Sequence, residues 1–189
     1  MTTSKTFYIG VTGPSGSGKS TVAKNLGFPV VGEDPATFAN PEYVPYDQRN
    51  PDTERPTHVR WDLVQKHIHQ VKDSVVVIEH FLLAFLPGIQ LDLLIVLDDL
   101  GDDDDERGRV LRERRVGRQP NRPEQEQKDL RRYYDEAVWP IYKQETRPAL
   151  QRLVGQLGVR KVLQLDPVRY DSNCILRDAQ AFVQMSLDN

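Results

Sequence analysis

A run of eight residues near the amino terminus, residues 13–20, leaves few folds open to this chain. It reads G-P-S-G-S-G-K-S and fits the pattern G-x-x-x-x-G-K-[ST]. An apolar run at residues 7–11 predicts a β-strand before it, and residues 20–26 predict a helix after it. Glycines let successive backbone N–H groups face one anion, and the helix adds the positive end of its dipole. The arrangement predicts a loop that binds the phosphates of a nucleotide.

Two side chains of this loop have specific expected roles. The ammonium group of Lys19 should reach the β- and γ-phosphates of ATP, and the hydroxyl of Ser20 should bind Mg²⁺. We therefore predict that the chain uses ATP together with Mg²⁺. A glycine-rich surface turn is the structural alternative. The loop residues expected to contact ATP are Gly13, Ser15, Gly16, Ser17, Gly18, Lys19 and Ser20.

The rest of the chain predicts strands that alternate with helices. The predicted strands are residues 7–11, 30–31, 75–78, 91–97 and 161–166, and the predicted helices are residues 20–26, 61–71, 106–118, 125–153 and 172–187. Pro140 and Pro148 should break or kink the fourth helix, and five prolines exclude a long helix from residues 35–58. The alternation predicts an α/β fold of the P-loop NTPase class, a three-layer α/β/α doubly wound parallel sheet, as a single domain over residues 1–189.

Composition narrows the class of protein further. The net charge is −3 and the isoelectric point is near 5.8, which argues against a general nucleic-acid binder. Cys174 is the only cysteine, so no intramolecular disulfide can form, and this fits a reducing compartment. No apolar run approaches the ~18–20 residues needed to span a bilayer. We expect a cytoplasmic protein with a small-molecule substrate and with neither nucleic acid nor membrane as a partner.

Carboxylates at the ends of predicted strands are candidates for catalysis. Phosphoryl transfer to a hydroxyl needs a carboxylate near the acceptor and support for the metal, and α/β sheets bind ligands at the carboxyl edge. Asp34 follows the second strand, Glu79 ends the third and could orient Mg²⁺, and Asp62 opens a helix. The structural alternatives are a turn residue, an exposed strand end and a helix-start acid, respectively. Asp98 and Asp166 also end strands and are weaker candidates.

An arginine-rich segment is the predicted lid, at about residues 101–123. Guanidinium groups presented together suit a polyphosphate, because each can make forked contacts and stays charged. Arg109, Arg112 and Arg115 share one face of the predicted helix, and we assign Arg112 to ATP. A solvated or ion-paired helix face is an equal alternative. The arginines of the segment are Arg107, Arg109, Arg112, Arg114, Arg115 and Arg118.

Three segments of the chain resemble one family. The phosphate loop continues as T-V-A-K-N-L over residues 21–26, residues 76–83 read V-V-I-E-H-F-L-L, and residues 133–142 read Y-Y-D-E-A-V-W-P-I-Y. The second is similar to an I-I-E-G-F-L-L segment, and V-W-P-x-Y after an aromatic pair is typical of the same proteins. The chain resembles the uridine-kinase-like nucleoside kinases, and most closely the nicotinamide riboside kinases, from Phe7 to about Arg147.

The resemblance implies a role for each matching residue. Asp34 would take the proton of the 5′-hydroxyl, and Asp62 would hold the ribose hydroxyls. Glu79 would serve the metal and the acceptor, and Arg115 would lie near the base as a lid arginine. Thr21 would contact ATP as part of the family's opening segment. The implied activity is transfer of the γ-phosphate of ATP to the 5′-hydroxyl of nicotinamide riboside, a nucleoside.

The resemblance also implies a ring-binding pair. Trp61 stands where the family usually has a tyrosine, and Tyr133 matches the aromatic residue that faces it. The two could hold a flat nicotinamide or pyrimidine ring between them by stacking. Core packing is the structural alternative for both.

The chain departs from the family at two places. His80 replaces a glycine after the strand-end acid, where it could crowd the acceptor pocket or supply a new hydrogen bond. Asp34 stands alone where the family usually has paired aspartates, so the assignment of the base depends on one residue. Uridine or cytidine kinase activity is therefore an open alternative, and a non-catalytic module that binds NTP is another. A GTPase should carry N-K-x-D, which the sequence lacks.

Overall fold

The computed structural model of this chain describes residues 5–32, 45–101 and 105–188, and this part contains one sheet of five parallel strands. The spatial order of the strands is β2-β3-β1-β4-β5. The first strand pairs with the third on one side, where Val11 lies opposite Glu79, and with the fourth on the other. The strands are β1 (Phe7–Thr12), β2 (Val30–Val31), β3 (Val75–Glu79), β4 (Leu93–Val96) and β5 (Val162–Gln164).

Helices connect β1 to β2, β2 to β3 and β4 to β5, as the sequence predicts, whereas the connection from β3 to β4 has only a 3₁₀ turn, Leu83–Phe85. Short 3₁₀ turns occupy Tyr46–Gln48, Pro51–Glu54 and Pro56–His58, in the proline-rich region where no long helix was expected. The α-helices of the described residues are α1 (Lys19–Asn25), α2 (Trp61–Gln70), α3 (Asp105–Val116), α4 (Glu124–Tyr133), α5 (Trp139–Ile141), α6 (Arg147–Leu157) and α7 (Ser172–Leu187).

The sheet has a hydrophobic core on each face. Val76 and Ile78 face one cluster, which also takes residues from α2, α3 and the α4–α6 region. Val77 between them faces a second cluster, which takes residues from α1 and α7. Because both faces are covered, the central strands read as continuous apolar runs. The predicted α/β fold, a parallel sheet with flanking helices, is confirmed.

The helical run from α4 to α6 accommodates both of its prolines without a break. A π-helical segment at Tyr134–Val138 precedes Pro140, and a second at Tyr142–Thr146 precedes Pro148. Proline lacks the N–H that an α-helix would use, and a wider π turn changes the hydrogen-bond register just before the residue that cannot donate. The helical conformation is therefore continuous from residue 124 to residue 157.

In the part of the chain that the structure describes, no helix combines the length and the apolar character that crossing a membrane would require.

Candidate functional site

The phosphate loop connects β1 to α1 in the conformation that its glycines permit. Gly13, Gly16 and Gly18 have φ values of 145°, 93° and 93°, which side chains of L-residues rarely allow. A Cβ atom on Gly16 would lie 2.2 Å from the carbonyl oxygen of Leu111 in α3. Only glycine fits there, so the backbone of α3 lies directly against the loop.

Lys19 and Ser20 begin α1 at the carboxyl edge of the sheet. The Lys19 side chain is buried, and its Nζ donates a hydrogen bond to the Pro14 carbonyl at 3.1 Å. The Ser20 hydroxyl donates to Glu79 Oε1 at 2.7 Å, and Glu79 ends β3 beside β1. The structure therefore brings together the three side chains that the sequence assigned to the phosphates and the metal.

The residues around this hydrogen bond fit a magnesium ion bound with a nucleotide. Mg²⁺ prefers oxygen ligands and is commonly held by one or two protein groups, with phosphates and water completing the shell. The Ser20 hydroxyl and the Glu79 carboxylate supply such oxygens. Among the described residues there is no cluster of three or more metal-binding side chains. The chemistry of the donors fits an ion that arrives with ATP.

Two buried hydroxyls of the loop region are left unsatisfied by the described residues. Thr12 Oγ1, at the end of β1, and Ser17 Oγ, inside the loop, have no hydrogen-bond partner there. A Cβ atom on Gly13 would lie 3.0 Å from Ser17 Oγ, which places this hydroxyl within the curl of the loop. Buried polar atoms usually have partners, so an orphaned hydroxyl at this position is consistent with the predicted contact of Ser17 with a phosphate.

His80 is buried immediately after Glu79, with its ring between two other aromatic side chains. The ring centroid lies 5.2 Å from that of Trp61, at an interplanar angle of 48°, and also stacks on Phe81. The backbone N–H of Leu82 donates to His80 Nδ1 at 3.0 Å, so the proton of the neutral ring is on Nε2. Burial, with a smaller contribution from the charge of Lys19, lowers the pKa of His80 from 6.5 to about 4.

This pKa makes the stability of the protein depend on pH. Below pH 6.5 the unfolded chain binds a proton at His80, whereas the folded chain binds it only near pH 4. The free energy of unfolding therefore decreases as the pH is lowered from 6.5 to 4. Between pH 7.5 and pH 4.5 the protein should lose about 3 kcal/mol more stability than a His80→Asn variant loses. Urea unfolding of both proteins at pH 7.5 and pH 4.5, with EDTA present, measures the difference. Parallel pH dependence of the two proteins would contradict the assignment.

The two aromatic residues predicted to hold a ring have different surroundings. Trp61, at the start of α2, is half-buried and donates from Nε1 to the Pro56 carbonyl at 3.0 Å. Tyr133, at the end of α4, is buried, and the guanidinium of Arg49 lies 5.1 Å from its ring centroid. Its hydroxyl lies 3.3 Å from Thr53 Oγ1. Each therefore lies against the 3₁₀ turns of residues 45–58, on the side where an acceptor was expected.

Asp62 and Asp34 are the two other carboxylates that were predicted to act on the acceptor, and the structure describes only Asp62. Asp62 is exposed and forms a forked ion pair with Arg60, with hydrogen bonds of 2.9 and 2.7 Å. These hydrogen bonds from Arg60 hold the pKa of Asp62 below its usual value. A sugar hydroxyl that bound Asp62 would compete with Arg60. Asp34 lies outside the described residues.

The arginines of the predicted lid divide into two groups. Arg112 Nη1 lies 2.5 Å from Asp135 Oδ2, and Arg115 Nη2 lies 3.8 Å from Glu54 Oε1. Both guanidiniums are paired with carboxylates, as the ion-paired alternative expected, and Arg112 directly follows Leu111, whose carbonyl lies against Gly16 of the phosphate loop. Arg107 and Arg114 instead bind the sheet edge, where Arg114 donates to the Pro167 carbonyl at 2.7 Å. Arg107 is buried, which neither alternative anticipated.

Sequence reasoning missed two residues that the structure places beside this region. Tyr134 is buried, and its hydroxyl donates to the Ser15 carbonyl in the phosphate loop at 3.2 Å. Glu54 is mostly buried, and with Arg115 it links the 3₁₀ turns to α3. Tyr134 belongs to the aromatic pair that precedes V-W-P-x-Y, which was a usable signal. Glu54 lies among prolines without periodicity, so nothing in the sequence distinguished it.

Comparison with known proteins adds information about the fold. No family model matches the chain, and no curated protein sequence does. The crystal structure of TT1252 from Thermus thermophilus is 19% identical, with a TM-score of 0.53, over 97% of this chain and 98% of that one. Shikimate kinase from Acinetobacter baumannii, in complex with shikimate, is 17% identical, with a TM-score of 0.51, over 98% of this chain and 96% of that one. The chain therefore shares the α/β fold of these two proteins.

Proposed function

We propose that this chain is an ATP-dependent kinase that phosphorylates a hydroxyl group of a small molecule. The observation that supports it most directly is the hydrogen bond from Ser20 to Glu79 at the phosphate loop, next to buried Lys19. This pair supports binding of MgATP. Transfer to a hydroxyl, rather than binding alone, is supported by the resemblance of the segments around Glu79 and Tyr133 to the nucleoside kinases. The buried hydroxyls of Thr12 and Ser17, and the contact of α3 with Gly16, add to a region suited to a triphosphate.

The proposed mechanism is mainly positioning and electrostatic stabilisation. The backbone N–H groups of residues 13 and 15–18 and the Lys19 ammonium hold the β- and γ-phosphates in line with the acceptor. Ser20 and Glu79 hold Mg²⁺, which when bound neutralises charge on the phosphate oxygens. Arg112 and Arg115 exchange their carboxylate partners for phosphate oxygens, which carry more charge. Asp34 accepts the hydroxyl proton as the acceptor attacks.

For the acceptor we propose nicotinamide riboside, with nicotinamide mononucleotide as product. The support is the resemblance of the segments around Glu79 and Tyr133 to the riboside kinases, together with aromatic residues along the 3₁₀ turns. Trp61, with His80 against its ring, offers a flat apolar surface for a nicotinamide ring. The shikimate kinase whose fold is similar binds a different hydroxyl compound, so shikimate belongs in the test.

The test is release of ADP by purified protein with MgATP and a panel of acceptors. The panel contains nicotinamide riboside, uridine, cytidine, shikimate and buffer alone. We expect turnover to be fastest with nicotinamide riboside and at least about tenfold faster than with buffer, since a site that reads a specific ring discriminates at this level or above. Preference for uridine, cytidine or shikimate would keep the kinase and replace the acceptor. Binding of ATP without stimulation by any acceptor would contradict the kinase proposal.

The base is tested with an Asp34→Asn variant in the same assay. We expect kcat to fall about 100-fold while KM for ATP stays unchanged, because general-base catalysis contributes at least this much and the nucleotide contacts are elsewhere. Asp47→Asn, an exposed acid on the 3₁₀ turn Tyr46–Gln48, is the matched control and should keep full activity. Equal activity of the two variants would remove Asp34 from the mechanism.

A further inference from the structure

Five buried side chains join the carboxyl ends of β4 and β5 to the surrounding helices. Arg107 Nη2 of α3 lies 2.8 Å from Asp166 Oδ2, and Arg107 Nη1 lies 3.9 Å from Asp98 Oδ1. Tyr142 donates to Asp98 Oδ2 at 2.8 Å, and Arg147 Nε lies 3.3 Å from the same oxygen. We call this group, Asp98, Arg107, Tyr142, Arg147 and Asp166, the anchor cluster.

The anchor cluster fixes the amino-terminal half of α3. Arg107 is 2% exposed, and it reaches carboxylates that follow two different strands. Asp99 and the exposed Arg169 border these buried charges, and Arg169 Nε lies 3.3 Å from Asp166 Oδ2. Moving α3 away from the sheet would separate the buried Arg107 guanidinium from both acids, whereas Asp98 would keep Arg147 and Asp166 would keep Arg169. A helix held in this way resists displacement as a rigid body.

Two close backbone contacts on the same side of α3 add to this constraint. A Cβ atom on Gly108 would lie 2.6 Å from Trp139 Nε1, so the helix backbone lies directly on that indole. One turn later, the Leu111 carbonyl lies against Gly16 of the phosphate loop. Arg114 then bonds to the loop after β5. The helix is therefore fixed to the sheet edge, to the α4–α6 helical run and to the phosphate loop at once.

The residues that follow α3 have a different environment. Gly117, Arg118 and residues 119–121 are exposed. Arg112 and Arg115, on α3 itself, are held at their tips by acids of other segments rather than buried in the sheet edge. These side chains can change partners without movement of the helix axis. The boundary between the fixed part of the predicted lid, which is α3, and the exposed part that follows it therefore lies near Val116.

We propose that Arg107 is a positioning residue and that the anchor cluster makes α3 a fixed arm. The arm holds Arg112 and Arg115 at a constant distance from the phosphate loop, and closure over the nucleotide is confined to side chains of α3 and to residues 117–123. This revises the prediction that the whole segment 101–123 acts as a lid. Two kinds of experiment test this proposal. Measurements of kcat and KM rest on the proposed kinase activity, whereas amide hydrogen exchange does not.

Amide hydrogen exchange of the unmodified protein tests the arm directly. A fixed α3 should open only when the whole protein unfolds, so the amides of residues 109–116 should exchange as slowly as those of β1. MgADP, with binding measured separately by calorimetry, should leave the ratio of these rates unchanged. Faster exchange of 109–116 than of β1, or a change of that ratio by tenfold or more with MgADP, would overturn the proposal. If MgADP does not bind, the kinase proposal fails and the comparison in the free protein still decides this one.

Two substitutions test the positioning role by different routes. Arg107→Lys keeps the charge but cannot span two acids, and Gly108→Ala drives a methyl group into Trp139 without touching a charge. In both, kcat should fall about 10- to 100-fold, since small misplacements of catalytic groups have effects of this size. KM for MgATP should change less than threefold, because the loop binds the ground state. Each kcat is calculated per molecule that binds nucleotide, so that a smaller amount of folded protein does not lower the value.

The control is Asp73→Asn, an exposed acid before β3, which should behave as the unmodified protein. An unchanged kcat per binding-competent molecule in Gly108→Ala would contradict the positioning role. So would a rise in KM for MgATP equal to the fall in kcat/KM, because that pattern indicates a damaged binding site. If neither variant folds, the hydrogen-exchange comparison decides alone.

Discussion

Replacing Lys19 by methionine is expected to lower kcat/KM for ATP about 1,000-fold, since a buried charged donor aimed at the transferred phosphate is worth at least as much as one oxyanion donor. Methionine has nearly the length of the lysine stem, so packing around the buried side chain should survive. The Lys19 ammonium is already directed into the loop by the Pro14 carbonyl. ADP release with the best acceptor of the panel measures the loss.

The matched control is Lys24→Met in the same helix. Lys24 is exposed in the last turn of α1, so the same change of charge there should leave kcat/KM within about twofold of the unmodified protein, as is usual for surface positions. Thermal unfolding of both variants separates loss of chemistry from loss of fold. A Lys19→Met protein with more than a tenth of full activity would show that the loop does not act on the transferred phosphate.

Glu79→Gln is expected to give the second large loss, a fall in kcat of about 100- to 1,000-fold, because the metal loses a charged oxygen. In the unmodified protein the Ser20 hydroxyl lies 2.7 Å from Glu79 Oε1. The amide oxygen of glutamine can still accept the hydrogen bond from this hydroxyl. The fold around β3 should therefore be preserved. The concentration of Mg²⁺ that gives half-maximal rate should rise as well, and that shift is the specific signature of a metal role.

Ser20→Ala and the double variant complete a thermodynamic cycle with Glu79→Gln. If the two side chains hold one ion, the losses should be strongly non-additive, with the double variant little slower than the worse single variant. Additive losses would indicate that the hydroxyl and the carboxylate act separately. An unchanged requirement for Mg²⁺ in Glu79→Gln would remove this residue from the metal site, whatever its effect on kcat.

The parts of the fold that local pattern determines were predictable. β3 and β4 are covered on both faces, which is why their sequences are continuous apolar runs. The phosphate loop was predictable because its glycines, Lys19 and Ser20 each meet a separate requirement of phosphate binding. The sequence assigned Ser20 and Glu79 to the same metal ion but did not predict the hydrogen bond between them, and the metal role stays a prediction.

Contacts between distant segments were not predictable from local pattern. Asp98 and Asp166 were weak candidates for function, and nothing near either one in sequence names Arg107 as its partner. The buried position of Arg107 also has no signal in the sequence. When both faces of a helix carry arginines, the hydrophobic pattern does not show which face is buried. The prolines of the α4–α6 run misled for a simpler reason. They exclude a regular α-helix, but a π turn before each one keeps the chain helical.

The positions of the two tryptophans give this protein an intrinsic optical signal with two sources. Trp61 lies against His80, which follows β3, and Trp139 lies beneath Gly108 of α3. The indole of Trp139 is buried and that of Trp61 is partly exposed, so their emission should differ in wavelength and in access to quenchers. Fluorescence of the unlabelled chain can therefore distinguish changes around Trp61 and His80 from movement of α3.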